Sequence, residues 1–218
     1  MRRYMLRISC LALAAALGFG TTNFVYAQEA GKPLRFPQLT MDQLNDQQRP
    51  LAENIMKFSS VGIGGPYNPL LRSPVLAQRM CDLLDYLRWN SSLSRKLTEF
   101  AILIAARQWR SQVEWYAHYP LALREGLPKQ VADDIKAGKR PRDMTPDVEV
   151  VYDFCTELST KHEVSDATFG RAKQYLTDRQ IVDLTALSGT YVTLAMVMSM
   201  AQQGVPPGKE PPFKPGEP

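Results

Sequence analysis

Cysteine and histidine are both scarce in this chain, with three of one and two of the other in 218 residues. No two cysteines are spaced as C-x-x-C, which excludes a vicinal dithiol redox centre and the usual cysteine zinc sites. Only His118 and His162 are available as imidazole ligands, too few for a histidine-rich metal centre. No metal and no other cofactor is therefore expected. Alternation of apolar and polar residues between turn signals is missing as well, so no strand series is expected. Helical periodicity runs through nearly all of residues 38–203 instead, and the expected fold class is all-α.

The first 27 residues, "MRRYMLRISCLALAAALGFGTTNFVYA", place Arg2, Arg3 and Arg7 before a short apolar run and end on Val25-Tyr26-Ala27. This is the pattern of a secretory signal peptide cleaved after Ala27. The run is too short to span a bilayer, and no later segment is expected to do so. Periplasmic or secreted localisation follows, with no membrane attachment once the leader is removed. The leader also carries three of the 26 basic residues and no acidic one, so cleavage leaves 23 basic against 22 acidic residues, a net of +1. That balance removes the case for nucleic acid as a partner. Cys81 and Cys155 remain, both within apolar helical patterns. An oxidising compartment permits them to pair, but two buried thiols fit the pattern equally well.

Punctuation by proline and glycine divides the mature chain into helices. Thr40 and Gln43 have capping-box spacing, and Asn45 is placed to cap a helix with Pro50 near its first turn. "SSVGIGGPYNPLLRSP" is expected to be a loop long enough to wall a pocket. A helix with Leu76, Met80, Leu83, Leu84 and Leu87 on its apolar face follows. The next begins near Ser94, and its apolar run from Phe100 to Ala106 marks it as central and buried. Residues 111–125 form another, closed by Gly126, and one starting at Pro128 closes at Gly138. Three more helices follow the "KRPRDMTPD" connection. The last fifteen residues hold six prolines and three glycines, a composition that favours disorder or a path over the surface. The expected organisation is a signal peptide over 1–27, a helical domain over 28–205 and a proline-rich tail over 206–218.

Two features carry chemistry. Glu99 adjoins the buried apolar run, where an unpaired charge costs several kcal/mol. Arg95 and Arg107 lie one and two turns away, so it is either a helix ion pair at the edge of the core or a working carboxylate. Glu114 and His118 are four apart and face the same way on the next helix. A carboxylate beside an imidazole fixes its tautomer and suits general acid-base work near neutral pH, although such a pair is also an ordinary polar helix face. Two ligands do not make a zinc site.

The stretch "LTEFAILIAARQWRSQVEWYAHYPLALREGLP" resembles the core signature of the carboxymuconolactone decarboxylase family, which shares a superfamily with the alkylhydroperoxidase D proteins. The matching positions are Glu99, Ala106-Arg107, Val113-Glu114-Trp115, His118, Pro120 and Gly126-Leu127. Upstream, "GGPYNPLLRSPVLAQRM" is similar to the family's proline-rich loop, and the resemblance covers residues 38–206. It implies an alkylhydroperoxidase D-like helical fold, assembly into homo-oligomeric trimers or hexamers, and a small-molecule substrate. The peroxidase branch has thiols where this chain has Ser111 and Glu114, so a dithiol cycle is not expected. A thiol peroxidase using Cys81 and Cys155 is the least favoured activity.

The decarboxylase branch implies cofactor-independent acid-base chemistry on a lactone or aromatic-derived carboxylate. His118 would be the proton donor, oriented by Glu114, with Glu99 as a second acid-base group. Arg72 or Arg107 would anchor the substrate carboxylate, and Tyr67, Asn68 and Trp115 would line the pocket. A ligand-binding protein without catalysis on the same scaffold is the alternative.

Overall fold

The structure is a computed structural model that describes residues 34–214. The signal peptide and the last four residues lie outside the described residues. Within them there is no strand, and nine α-helices follow one another with short connections.

Thr40 and Gln43 close only a single 3-10 turn, Met41–Gln43, in which the Gln43 side chain accepts from the Thr40 amide. Asn45 does cap the next helix, its Oδ1 accepting from the amides of Gln47 and Gln48 at 3.1 and 2.9 Å. That helix is α1 (Gln48–Phe58). The loop beyond it contains one piece of regular structure that its prolines and glycines do not suggest, the four-residue α2 (Tyr67–Leu70). Gly62 and Gly65 supply the left-handed backbone that turns the chain into it.

Helix α3 (Pro74–Asp85) starts on a proline, where the missing amide costs nothing, and continues into a π-helical turn, Tyr86–Asn90. Its buried face differs from the expected one. Ala77, Cys81, Leu84 and Leu87 point inward, whereas Leu76 and Leu83 are exposed. Small residues on the inner stripe let α3 approach its neighbours closely, which a count of large apolar residues does not register.

Helix α4 (Arg95–Gln108) begins at Ser94, whose hydroxyl accepts from the Leu97 amide, and every residue from Leu97 to Ala106 is buried. It is the axis of the fold, packing most extensively against α5 (Gln112–Arg124), α7 (Pro146–Lys161) and α9 (Asp178–Ala201). Helix α6 (Lys129–Lys136) covers one end of α4, and α8 (Asp166–Tyr175) packs on α7.

Helix α9 corrects the expectation that no later segment could span a membrane. It is long and apolar enough to do so by length and composition. In the fold it is a core helix instead: Leu184, Leu187, Tyr191, Leu194 and Met198 are buried, and α4 is its main partner.

The described part of the proline-rich tail is seated on the body, contrary to what its composition suggests. The Gln112 side-chain amide pairs with both backbone groups of Phe213, donating to its carbonyl at 2.8 Å and accepting from its amide at 2.9 Å. The Phe213 ring meets Trp115 edge to face at 5.3 Å and is buried. Phe213→Ala is expected to destabilise by roughly 2–3 kcal/mol. Interior Phe→Ala changes cost about 3–5 kcal/mol, and a terminal segment can undock instead of leaving a cavity. Chemical denaturation with protease cleavage of the tail as a second readout checks this, and an unchanged midpoint refutes it.

Candidate functional site

The helix pair α4 and α5 meets beside α9, and there the ionisable groups of the core come together. Glu99 is fully buried on α4. Its Oε2 lies 2.6 Å from Nδ1 of His118 on α5. Its Oε1 lies 3.4 Å from Arg95, one turn earlier, and 3.9 Å from Arg88 in the π-helical turn. The Arg95 guanidinium also donates to the Arg88 carbonyl and stacks on Trp89 at 3.9 Å. Tyr191 of α9 presses its ring edge on the imidazole, with centroids 5.1 Å apart.

This geometry settles the protonation pattern. Burial works to raise the Glu99 pKa, but the His118 hydrogen bond and charge, then Arg88 and Arg95, together carry it below the usual carboxylate range. Burial is also the largest influence on His118, and it lowers the pKa. The Glu99 contact opposes that, while Arg88 and Arg95 add to it, leaving the imidazole below its ordinary value. At neutral pH the pair is thus a carboxylate and a neutral imidazole. Nδ1–H donates to Glu99, and the lone pair is left on Nε2.

Glu114 does not pair with His118, as the four-residue spacing had led us to expect. It is buried, its polar neighbour is the Ser111 hydroxyl, and neither carboxyl oxygen makes a well-formed hydrogen bond. Burial drives its pKa well above the usual value, with the nearby Ser111 hydroxyl only moderating the rise, so Glu114 is a neutral acid. Glu114 and His118 line the same inner cavity of about 50 Å3, together with Tyr67, Arg88 and Tyr191. A neutral imidazole and a neutral carboxylic acid facing one cavity are a base and an acid whose environments have pushed their pKa values apart. Tyr67 is held as a phenol, its pKa raised to about 12 chiefly by burial.

The protonation of Glu114 sets a stability prediction. A carboxyl whose pKa is raised on folding binds its proton in the native state while the unfolded chain releases it. Stability is therefore lost as pH rises from about 4.5 toward the folded value. Glu114→Gln removes that loss. It is expected to stabilise relative to wild type at pH 8 and by less at pH 4.5, because the amide has no proton to lose. Melting curves at both values check this, and a variant less stable than wild type at pH 8 refutes it.

The remaining residues expected at the site fall elsewhere. Arg72 donates to the carbonyls of Asn68 and Pro37, both at 2.6 Å, and Asn68 donates to Phe36 and accepts from Leu39. These two side chains fasten the extended N-terminal segment and do not line the inner cavity. Arg107 lies two turns beyond Glu99, its guanidinium 5.8 Å from the Phe213 ring and against Gly138, which holds φ +71°. Trp115 faces an outer cleft that adjoins the inner cavity and stacks on Tyr119 at 5.9 Å. Arg88 lines the cavity where the resemblance had implied Arg72 or Arg107. Its sequence signal is a register shared with the buried Ala77, Cys81 and Leu84 of α3, and Tyr191 has none.

Cys81 and Cys155 are free and buried, with pKa values raised by burial to about 11 and about 12. Neither lines the inner cavity, and at neutral pH neither is the thiolate that peroxide reduction requires.

No protein-family model matches the chain, and no curated protein matches it by sequence. Solved structures do match its fold. An uncharacterized peroxidase-related protein from Ralstonia eutropha JMP134, described as an alkylhydroperoxidase AhpD core, superimposes with a TM-score of 0.67 at 17% identity, covering 79% of this chain and 92% of that one. A peroxidase-related protein from Silicibacter sp. TM1040 gives 0.63 at 15% identity over 80% and 91% of the two chains. A protein of unknown function from Agrobacterium tumefaciens gives 0.58 at 16% over 64% and 96%. The chain has the all-helical architecture of the AhpD core. At these identities the likeness is one of fold.

Proposed function

We propose that the chain is an exported, cofactor-independent enzyme of the carboxymuconolactone decarboxylase kind. Its reaction would be a decarboxylase- or lyase-like proton transfer on a lactone or aromatic-derived carboxylate. The observation that carries this reading is the 2.6 Å contact between Glu99 and His118 at a cavity that also holds the unpartnered Glu114. In such a reaction the bond to the departing carboxylate breaks and CO2 leaves with its electron pair behind. The pair flows through the conjugated system to the carbonyl oxygen. The Glu114 O–H donates to that oxygen and then gives its proton to carbon, and the replacement proton returns from water through His118 Nε2. Glu99 holds the imidazole in the required tautomer. Arg88 is the anchor for a substrate anion.

Residues 1–27 support export, with a periplasmic or secreted destination. Homo-oligomerisation is part of the proposal, and the exposed Val75, Leu76 and Leu83 of α3 offer an apolar face for it.

The test is a screen of lactones and aromatic-derived carboxylates in D2O, followed by NMR and mass spectrometry. A consumed compound with deuterium at the carbon that lost CO2 supports the mechanism. Tight binding without any product identifies a ligand-binding protein instead.

A further inference from the structure

The inner cavity is not isolated. Ser59, Ser60, Val61, Ala117 and Leu121 line both it and the outer cleft, a volume of about 1540 Å3 between α1, the following loop, α5, α6 and the tail. The two spaces differ in chemistry. The cleft is walled by Met41, Met56, Ile63, Trp115 and Pro211, and its charged residues cancel: Lys129, Lys136 and Lys209 against Asp42, Asp133 and Glu210. It therefore offers an apolar bed with no preference for the sign of a ligand's charge.

The inner cavity does have such a preference. Arg88 lines the cavity and, with the partly exposed Arg95 behind it, faces the single Glu99 carboxylate, so the wall that Arg88 forms favours an anion. Its polar atoms are also unmet. The Arg88 Nε and both Glu114 oxygens are buried without a hydrogen-bond partner. Leaving a buried donor and a buried carboxyl unsatisfied is unfavourable, and a ligand oxygen accepting from both relieves it. A space of about 50 Å3 holds a head group and no more. The outer cleft exceeds the roughly 300–1,000 Å3 of ordinary small-molecule sites, so a bare lactone would leave most of it unfilled.

We propose that the two cavities form one binding site for an amphipathic carboxylic acid. Its carboxylate is held by Arg88 and Glu114 in the inner cavity, and its extended apolar body lies in the outer cleft. This rests on the inner cavity being the reacting site and narrows the substrate class to acids with an apolar body larger than a ring.

The experiment is calorimetric titration of the full chain with octanoate, decanoate, dodecanoate and dodecan-1-ol, each below its aggregation limit. Each added methylene is expected to tighten binding two- to fourfold as it leaves water. Dodecanoate is expected to bind at least tenfold tighter than dodecanol, and Arg88→Met to abolish that preference. Met56 lines the cleft with its side chain about half exposed, so the fold accommodates Met56→Trp. That variant is expected to flatten the chain-length series while octanoate binding stays within twofold. Affinity independent of chain length overturns the proposal, as does equal binding of acid and alcohol. So does a sedimentation shift in Met56→Trp with the series intact, which would make the cleft a contact between two copies.

These acids lack the carbonyl that accepts the electron pair, so they report binding alone. Chain-length-blind binding beside retained turnover sinks only this inference. A normal chain-length series with no compound turned over sinks only the proposed reaction.

Discussion

His118→Ala is expected to lower kcat/KM by roughly 10^2- to 10^4-fold on a substrate found by the D2O screen, the range that positioned proton transfer contributes. The expectation follows from the tautomer. Nδ1 is committed to Glu99 at 2.6 Å, so Nε2 is the nitrogen that exchanges protons with the cavity. The same argument fixes the pH profile of wild type. His118 takes up the relayed proton only when Nε2 is free, and its pKa is below the ordinary imidazole value, so activity should rise on an acid limb lying below about pH 6.5. Glu114 acts as an acid only while protonated, and activity should fall on an alkaline limb well above the usual carboxylate range. Glu114→Gln should keep the hydrogen-bond donor, lose the transferable proton and remove the alkaline limb. Circular dichroism must show both variants folded. Turnover at the wild-type level in folded His118→Ala refutes the assignment.

How much of this was legible in the sequence depends on whether the deciding interaction lies along one helix or between two. Helix α4 was legible because a run from Phe100 to Ala106 with no polar residue can only be buried. The cap at Asn45 and the helix start at Ser94 were legible for the same local reason, since an N-cap acts on amides two or three residues ahead. The i, i+4 spacing correctly places Glu114 and His118 on one side of α5, and both line the inner cavity. It says nothing of which carboxylate His118 bonds. That is decided by Glu99, nineteen residues away on α4, which two arginines keep ionised. Glu114 makes no ion pair, and burial keeps it neutral.

Arg88 shows a different limit. The π-helical turn over Tyr86–Asn90 adds a residue to the turn, which rotates everything after it relative to α3. Carried forward from Ala77, Cys81 and Leu84, helical periodicity puts Arg88 on the buried stripe, but it gives no sign that the partner there is Glu99 of α4. Tail composition also misleads in a definite manner. Six prolines remove backbone donors, but one aromatic side chain and one glutamine clamp are enough to seat the segment.

Replacing Glu99 is expected to have the largest effect on stability. Glu99→Ala leaves Arg88 and Arg95 against an apolar helix with no counter-charge and leaves Nδ1–H of His118 without an acceptor. Breaking a buried pair by removing one partner costs about 3–5 kcal/mol, and the lower end applies here because Arg95 reaches solvent. In a chain of this size a loss of about 3 kcal/mol lowers Tm by about 6–12 °C. The pH dependence separates this electrostatic origin from simple loss of packing. In wild type the folded Glu99 pKa lies below its unfolded value. Its contribution is therefore complete above about pH 4.5 and lost as pH falls through the folded value. His118, also depressed, adds a loss at higher pH, because the unfolded imidazole takes up a proton below about pH 6.5 before the native one does. Glu99→Ala should abolish the lower loss and extend the upper one, since the arginines then act on His118 unopposed. The gap in Tm between variant and wild type should thus widen as pH falls from about 6.5 and stop widening below about 4.5, where wild type loses its own Glu99 contribution. A gap that stays constant from pH 7 to pH 3 means that Glu99 acts by filling space, and the ion cluster that orients His118 loses its energetic basis.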